Sequence, residues 1–364
     1  MASDFGGLVM AVVPRNLLNN SGMWLAQRQD PATATIYSDT SGRTMTADCW
    51  GGTNENIGFN YQRIDTLGSP ETGLRARFYG TWLKGTSTGK LVVSQAVEST
   101  HIAPVRGRRV RFQVYLKDGT GANPTIRLGL AQLTAAGTAD SIPATFISAF
   151  GANGTDPTLG TNLAYLTPVA GTGDQGTISG NALSCSVTST WKRFGVAFDV
   201  PSNAKNLVVL VFGDAQFAAT TGFSISQASL THGAAIEDWM PDNLVQEYER
   251  CFRYYQKSFE LDTNPASSVG IGTGETTFMA VTAGATSANH RIVFQSRMWA
   301  APSMASFNPA VAGAQVRDQT NAVNCSSTAF INTSQTGTTI TTTGNASTTA
   351  GARLGVHWVA RAEL

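Results

Sequence analysis

Hydrophobic and polar residues alternate along much of this 364-residue chain, and a period of two is the pattern of a strand with one buried face. Between residues 207 and 212 the chain reads LVVLVF without a polar residue, so we expect a strand that is covered on both faces. About eight or nine such strands, joined by long connections over residues 16–241, predict a β-sandwich of the jelly-roll type. The clearest alternating apolar positions are Val110, Phe112, Val114, Leu116, Ile126, Leu128, Leu130, Phe194, Val196, Phe198 and Val200.

A single strong helical pattern interrupts the strands at residues 242–257, DNLVQEYERCFRYYQK. Pro241 precedes it, and the side chain of Asp242 or Asn243 can cap the amides of the first turn. We therefore predict a linking α-helix over 242–258, whose apolar stripe packs at a seam between domains or between subunits. Besides Cys251, the residues of this stripe are Leu244, Tyr248, Phe252 and Tyr255.

The residues that follow the helix, 259–364, predict a smaller C-terminal β-sandwich. Strands are expected around Ile292 and from Leu354 to Trp358. Between them lies a polar tract, 332–350, which is rich in threonine and predicts a hairpin rather than disorder, because threonine is a good strand former. The predicted fold is therefore all-β.

The predicted domain order follows from these patterns. It consists of an N-terminal segment (1–15), a jelly-roll domain (16–241), a linking helix (242–258) and a C-terminal β-sandwich (259–364).

The charge of the chain is low and balanced. Charged residues make up 13% of the sequence and the net charge is +1, which excludes the basic footprint of a nucleic-acid-binding protein. The arginines between 106 and 111 lie on a predicted strand and are interpreted as a solvated face rather than an anion site. The apolar run 5–14 is too short to cross a bilayer and lacks the basic start of a secretory signal. We expect a soluble protein that is made in the cytoplasm and does not insert into membranes.

No motif points to a cofactor, a metal or a catalytic group. Four cysteines are scattered without a CxxC pair, which argues against a zinc site. The segment GFSIS at 222–226 is not a nucleophile elbow. Glu237 and Asp238 are adjacent, so on an extended strand they face opposite ways and cannot act as a glycosidase pair. We predict a protein without enzymatic activity.

Eight segments carry a resemblance to a known family: NLLNNSGMWLAQRQ, TADCW, VRGRRVRFQVYLKDG, TWKRFGVAFDVP, FSISQASLTHGAAIEDWMP, ERCFRYYQKSF, RMWAAPSM and HWVARAEL. They resemble segments of bacteriophage tail-fibre and spike proteins. Two departures stand out: Cys49 occupies a place where arginine often precedes the tryptophan, and the closing strand lacks the usual Gln-Leu-Glu. The resemblance implies that the first domain is a jelly roll of the carbohydrate-binding-module type.

The same resemblance implies a role in the phage particle. The chain would be a fibre or spike subunit that forms a homo-oligomer, most simply a trimer, and is located in the virion. Residues 1–15 would attach it to other tail or capsid proteins. The C-terminal β-sandwich would bind bacterial surface polysaccharide during host adsorption, where many weak contacts gain strength from multiple copies.

Candidate glycan-binding residues follow from the needs of sugar recognition. A pyranose presents an apolar face to an aromatic ring and hydroxyl groups to amides and charged side chains. Trp82 in FYGTWLKG is expected near a loop. Polar loop tips in the C-terminal domain supply the other candidates, which are Asn308, Arg317, Asp318 and Asn321.

Three other functions stay open at this point. A capsid decoration or head-fibre protein would share the fold and differ only in its place on the particle. A polysaccharide depolymerase or esterase is the enzymatic alternative, although no repeat of a β-solenoid is visible. A cellular carbohydrate-binding module is disfavoured by the missing secretion signal.

Overall fold

The computed structural model describes residues 16–28, 35–37, 43–56, 58–241 and 243–364. The expected attachment segment 1–15 and the candidate cap Asp242 lie outside the described residues. The early strands are β1 (Thr35–Tyr37), β2 (Thr44–Met45), β3 (Gly51–Asn54), β4 (Phe59–Asp65), β5 (Phe78–Lys84), β6 (Leu91–Val97), β7 (Arg109–Asp118) and β8 (Thr125–Leu133). A one-turn helix, α1 (Ser99–Ile102), and a 3₁₀ turn, Ala103–Val105, lie between β6 and β7.

The later elements complete two sandwiches. Those before the long helix are β9 (Ile147–Ala149), β10 (Thr158–Leu159), β11 (Leu163–Tyr165), β12 (Thr177–Ser179), β13 (Ala182–Ser186), β14 (Lys192–Asp199), β15 (Asn206–Gly213) and β16 (Gly222–His232). The helix α2 (Leu244–Phe252) is followed by β17 (Tyr255–Lys257), β18 (Thr276–Met279), β19 (Ser287–Val293), β20 (Ser303–Phe307), β21 (Arg317–Asp318), β22 (Val323–Asn324), β23 (Ser327–Ser334), β24 (Gly337–Thr343) and β25 (Arg353–Arg361).

The first sandwich consists of two antiparallel sheets. One has the order β1-β4-β5-β16-β7-β14, and the other has the order β12-β13-β8-β15-β6-β3-β2, with β11 added beside β8. From β5 to β8 each strand lies in the sheet opposite its predecessor, and β14, β15 and β16 cross again. This crossing between sheets is the jelly-roll architecture that the strand pattern predicted.

The strand β15 is buried on both faces, as its continuous apolar run predicted. Leu207, Val209 and Val211 point into the core between the two sheets. Val208 and Leu210 point the other way, into a second apolar cluster that also contains Phe146 of the long connection after β8. At β15, the outer face of this sheet is therefore covered by the connection after β8 and is not exposed to solvent.

The second sandwich is built around the last strand, β25, which pairs with β17, β18, β20 and β21. A three-stranded sheet, β19-β24-β23, covers one side of it. The core between them includes Ile292, Ile340 and Trp358, and Trp299 packs against its edge. The polar tract forms a hairpin, as predicted, although this hairpin begins earlier, in β23, and ends with β24 at Thr343.

The helix is shorter than the sequence predicted. Asn243 caps it by accepting a hydrogen bond from the amide of Val245, but the helix ends at Phe252 instead of 258. Tyr255 lies in β17, opposite Arg361 of β25. Backbone hydrogen bonds to a strand about a hundred residues away have replaced the last helical turn, because they complete an otherwise open edge of that sheet.

The predicted apolar stripe of the helix is also revised. Leu244 is 41% exposed, whereas the residues of α2 that are buried are Glu247 and Cys251. The carboxylate of Glu247 accepts hydrogen bonds from the amide of Asn20 and from Arg250. The helix is held by a buried charge and a thiol as well as by apolar contact.

Several buried polar contacts join the two sandwiches. The ammonium of Lys257 donates to the carbonyl oxygens of Gln27 (2.7 Å), Leu261 (2.8 Å) and Thr263 (2.7 Å). The guanidinium of Arg28 pairs with Glu363 near the C-terminus and lies over the ring of Tyr255. We call this set of contacts, together with those of Glu247, the seam.

The expected solvated arginine face is only partly correct. Arg109 is exposed and pairs with Asp199 at 2.8 Å. Arg111 is buried and donates to the carbonyl oxygens of Thr172 and Ala234, since the segments that carry these two residues cover its strand.

In the described part of the chain, no helix has the length and apolar character needed to cross a membrane.

His357 is buried on the face of β25 that is turned away from the second core. Its ring stacks on Phe259 at 4.1 Å between centroids. Nδ1 lies 3.1 Å from the hydroxyl of Ser258, and Nε2 lies 3.1 Å from that of Thr273. Burial lowers the pKa of His357 because it disfavours the imidazolium, although Gly270 and Glu275 oppose this.

Truncating Leu210 tests the buried outer face of the first sandwich. We expect Leu210→Ala to lower the free energy of unfolding by about 2–5 kcal/mol, because it leaves a cavity under the connection after β8. Urea denaturation measures the change. Leu67, which is 70% exposed, provides a matched control, and Leu67→Ala should change stability by less than about 0.5 kcal/mol. Equal effects of the two substitutions would contradict the double burial of β15.

His357 predicts a loss of stability in mild acid. Its folded-state pKa lies below the unfolded value of about 6.5, so the unfolded chain binds more protons in the window between them. Stability is therefore complete above about pH 6.5 and declines as the pH falls through that window. We expect His357→Asn to remove part of this decline, measured as urea midpoints at pH 7.5 and 5. The exposed His232 serves as the control, and a His232→Asn variant that flattens the profile equally would argue against this role.

Candidate functional site

A large cleft lies where the first sandwich, helix α2 and the second sandwich meet. Its volume is about 1130 Å³, above the range of about 300–1,000 Å³ that is usual for small-molecule sites. It is therefore large enough for an extended ligand. The lining residues are Asn16, Ser229, Thr231, Glu237, Asp238, Trp239, Met240, Gln246, Glu249, Arg250, Arg253, Ser296, Arg297, Met298, Trp299 and Gln335.

Helix α2 forms one wall of this cleft. Gln246, Glu249, Arg250 and Arg253 follow the spacing i, i+3, i+4 and i+7, which places them on one face of the helix and its C-cap. The adjacent face, about 100° around the helix from Gln246, carries the buried Glu247. The short helix thus presents polar groups to the cleft while it is fixed from behind.

The two arginines of this wall are oriented by buried carboxylates. Arg250 pairs with Glu247 at 2.8 Å, and Arg253 pairs with Glu98 of the first sandwich at 3.0 Å. Glu98 is 2% exposed and also accepts a hydrogen bond from the hydroxyl of Tyr254. Burial and the nearby Glu98 raise the pKa of Tyr254, so it stays a neutral donor. The positions of both guanidinium groups are therefore set by the protein before any ligand arrives.

The first sandwich supplies the floor at the end of β16. The indole of Trp239 is 5% exposed and donates to the hydroxyl of Ser21 at 3.1 Å. The side chain of Gln113 makes two hydrogen bonds to the backbone of Glu237. Its Nε2 donates to the carbonyl oxygen at 2.9 Å, and its Oε1 accepts from the amide at 3.3 Å. The hydroxyl of Thr231 is buried and has no hydrogen-bond partner among the described residues. Its oxygen is inaccessible from the cleft, so an ordered water molecule rather than a ligand can satisfy it.

The second sandwich contributes the opposite wall through Arg297, Trp299 and Gln335. The side-chain amide of Gln335 donates to the carbonyl oxygen of Trp299 at 2.8 Å and its oxygen accepts from Arg297 at 2.9 Å. The amide of Trp299 in turn donates to the carbonyl oxygen of Arg253 at 2.8 Å. This chain of contacts ties the wall to the C-cap of α2. Met240, 66% exposed, adds an apolar surface at the rim.

Hydrogen-bonding side chains make up most of the lining of the cleft. Its three carboxylate residues are Glu237, Asp238 and Glu249, and Asp238 is paired with Arg75 at 3.2 Å. The lining contains serine and threonine hydroxyls without a histidine or a cysteine beside them. Among the described residues, no group of histidine, cysteine and acidic side chains has the arrangement of a metal site.

The glycan-binding residues predicted from the sequence do not line this cleft, and the loop position expected for Trp82 is wrong. Trp82 is fully buried, donates to Thr46 at 3.2 Å and packs on Tyr61 at 4.7 Å. Trp82 lies within β5 and not near a loop, and the alternation of side chains along this strand turns it toward the core. Its ring is not available to a ligand.

The four polar candidates of the C-terminal domain hold turns. Asn308 is buried and bonds to Asn324, which also accepts from Arg317 at 2.8 Å. Asp318 is buried and accepts from both the backbone and the side-chain amide of Asn321 at 2.9 Å. Their hydrogen bonding is used locally, as is common for Asn and Asp in turns. These residues lie close together in the structure, where their hydrogen bonds stabilise loops.

The predicted seam residues fall into different environments. Tyr248 packs against the small cluster of Leu25, Cys49, Cys251 and Tyr254, and its ring lies 5.9 Å from that of Phe252. Tyr255 is buried, which raises its pKa to about 12 in spite of the adjacent Arg28. Leu244 borders a separate pocket of about 220 Å³ with Trp24. Tyr248 and Tyr255 thus lie between the two sandwiches of one chain, and the alternative of an intersubunit contact stays a prediction.

Comparison with known proteins adds a likeness of fold. No protein-family model matches the sequence, and no curated protein matches it. A structure of the enzymatically active domain of bacteriophage CBA120 tailspike protein 4 is 10% identical over 60% of this chain, with a TM-score of 0.31, and the match spans 21% of that structure. The C-terminal family 22 carbohydrate-binding module of Clostridium thermocellum Xyn10B is 14% identical over 54% of this chain and 99% of the module, with a TM-score of 0.32.

A third similar structure is the module TmCBM61 in complex with β-1,4-galactotriose. It is 10% identical over 60% of this chain and 99% of the module, with a TM-score of 0.29. At these identities and TM-scores, none of the three assigns a ligand or an activity to this chain.

Removing Glu247 tests how the helical wall is held. We expect Glu247→Ala to lower the free energy of unfolding by about 3 kcal/mol, because it removes a buried acceptor from the amide of Asn20 and from the guanidinium of Arg250. Chemical denaturation measures the effect. Glu249 on the same helix is exposed, so Glu249→Ala should change stability by about 0.5 kcal/mol or less. A Glu247→Ala variant as stable as Glu249→Ala would refute the buried anchor.

Proposed function

We propose that this protein binds a segment of polysaccharide in the cleft between its two sandwiches. The observation that carries this proposal is the combination, in one large cleft, of apolar surface from Trp299 and Met240 with many hydrogen-bonding side chains. Sugars need both, because a pyranose has an apolar face and a ring of hydroxyl groups. The size of the cleft suits several sugar units rather than one.

The arginines support recognition of hydroxyl or carboxylate groups. A guanidinium presents planar donors that match two neighbouring oxygen atoms. Arg250 and Arg253 are held from behind by buried carboxylates, so little side-chain entropy is lost when they bind a ligand. Arg297 is exposed on the facing wall.

Binding without chemistry fits the lining better than catalysis does. The hydroxyl groups lack an adjacent base, and the carboxylate of Asp238 is engaged by Arg75. A polysaccharide depolymerase is the second candidate, because Glu237 and Glu249 both border the cleft. Release of reducing ends from a bound polysaccharide would favour this second function.

The finer proposal concerns the phage particle. We infer that the chain is a fibre or spike subunit of a virion, made in the host cytoplasm, which binds bacterial surface polysaccharide during adsorption. The segments that resemble phage fibre proteins support it. As a homo-oligomer, most simply a trimer attached through residues 1–15, it would present several clefts at once and convert weak binding into avidity. A capsid decoration protein is the structural alternative.

Substituting Arg297 tests the cleft. The full chain is titrated against immobilised capsular and O-antigen polysaccharides purified from a panel of bacteria. We expect Arg297→Ala to raise the Kd for any bound polysaccharide about tenfold or more, since a charged hydrogen-bond donor is worth about 1.5–3 kcal/mol. Arg291 is exposed on β19 of the same sandwich, and Arg291→Ala should leave the Kd unchanged.

The same titration can refute the proposal. Binding that is unaffected by Arg297→Ala would place the polysaccharide site elsewhere, and no binding across the panel would argue against a glycan ligand. Labelling the protein in intact particles separates a tail location from the capsid location of a decoration protein.

A further inference from the structure

Two thiols meet where helix α2 touches the first sandwich. Cys49 lies in the turn between β2 and β3, and Cys251 lies in the last turn of α2. Their sulfur atoms are 3.9 Å apart, with Cys49 as the donor, although the residues are 202 positions apart in sequence. Both thiols are buried together with Leu25 and Tyr254. Contact between cysteines so distant along the chain is a product of the fold.

We propose that Cys49 and Cys251 form a disulfide that fastens helix α2 to the first sandwich when the protein meets an oxidising medium. A disulfide bond is about 2.05 Å long, so the sulfur atoms must approach by about 1.9 Å from their 3.9 Å separation. Rotation of the two side chains about their Cα–Cβ bonds supplies movement of this kind. The inference does not depend on what the cleft binds.

Cys49 is the more accessible of the two thiols. Cys49 is 7% exposed and borders a crevice with Arg43, whereas Cys251 is fully buried. Because Cys49 is more exposed than Cys251, we assign the attack on the oxidant to Cys49 and the attack on the resulting mixed disulfide to Cys251.

The reaction balances with a low-molecular-weight disulfide such as oxidised glutathione. The Cys49 thiolate attacks one sulfur of the oxidant, forms a mixed disulfide and releases one glutathione thiol. Cys251 then loses its proton and attacks the Sγ atom of Cys49, which releases the second glutathione thiol. Two protein thiols are oxidised, and one glutathione disulfide is reduced to two thiols.

The other two cysteines act as internal references. Cys185 is fully buried in the core of the first sandwich, and Cys325 is buried in the second. Burial raises the pKa of both thiols, as it raises that of Cys251, but in the described part of the chain neither lies against another cysteine. They belong to different cores and are not expected to pair with each other.

The disulfide would strengthen one wall of the cleft. It would close a loop of about 200 residues, and a loop of this length strongly restricts the unfolded chain. It would also prevent the first sandwich from separating from α2. We expect an increase in Tm of about 5 °C or more over the reduced protein.

The test uses the full chain, folded, with oxidised glutathione. After oxidation the free thiols are alkylated in denaturant, and intact mass spectrometry counts them. We expect the number of alkylated thiols to fall from four to two and a non-reducing digest to contain a peptide that joins Cys49 to Cys251. Cys325→Ser should form the same cross-link, whereas Cys251→Ser should not, and reduction should reverse the increase in Tm.

Other outcomes would overturn the proposal. These are four free thiols, a stable glutathione adduct on Cys49, a cross-link that includes Cys185 or Cys325, or a Cys49–Cys251 link that forms only in denaturant. The peptide map of the unsubstituted protein decides the matter even if a serine variant fails to fold.

Discussion

The arrangement of the molecule depends on the burial of charged groups between the two sandwiches. An ammonium or carboxylate that is removed from water is stable only when it is paired and hydrogen-bonded. Here the partners come from opposite sides: Lys257 of the second sandwich needs the carbonyl oxygen of Gln27 in the first, and Glu247 of the helix needs the amide of Asn20. A shift of one sandwich against the other would break these hydrogen bonds. The seam therefore specifies one relative position, which apolar contact alone would define less sharply.

The position of the cleft follows from that constraint. The first sandwich, the helix and the second sandwich all contribute lining residues. The shape of the cleft therefore depends on the relative position of the two sandwiches, which the seam fixes. Helix α2 connects the two roles. Its buried residue Glu247 belongs to the seam, and residues on the adjacent face of the helix line the cleft. Anchoring from behind lets Arg250 and Arg253 stay in place at low entropic cost.

The contrast with the loop tips of the second sandwich is instructive. Asn308, Arg317, Asp318 and Asn321 have the side chains that a glycan site requires, but their donors and acceptors are used to hold turns. In the cleft, by comparison, Gln246 and Glu249 of helix α2 are exposed. Residue type alone does not make a binding site. What matters is whether the fold leaves the polar groups available.

The sequence by itself determined the all-β class, the jelly roll, the double burial of β15 and the place of the one long helix. These follow from local patterns, because alternation and apolar runs report which faces meet water over a few neighbouring residues. The N-cap at Asn243 is equally local. The Thr-rich hairpin also follows from strand propensity, although its bounds do not.

Only the tertiary structure decided the end of the helix, the cleft and the roles of individual tryptophans. Residues 255–257 continue a helical pattern, but pairing with β25 outweighs it, since completing a sheet edge satisfies more backbone groups than one further helical turn. The cleft combines Asn16, Thr231, Arg250 and Trp299 from distant parts of the chain. No periodicity shows which distant polar residues will meet, because that depends on how two separate cores are held together.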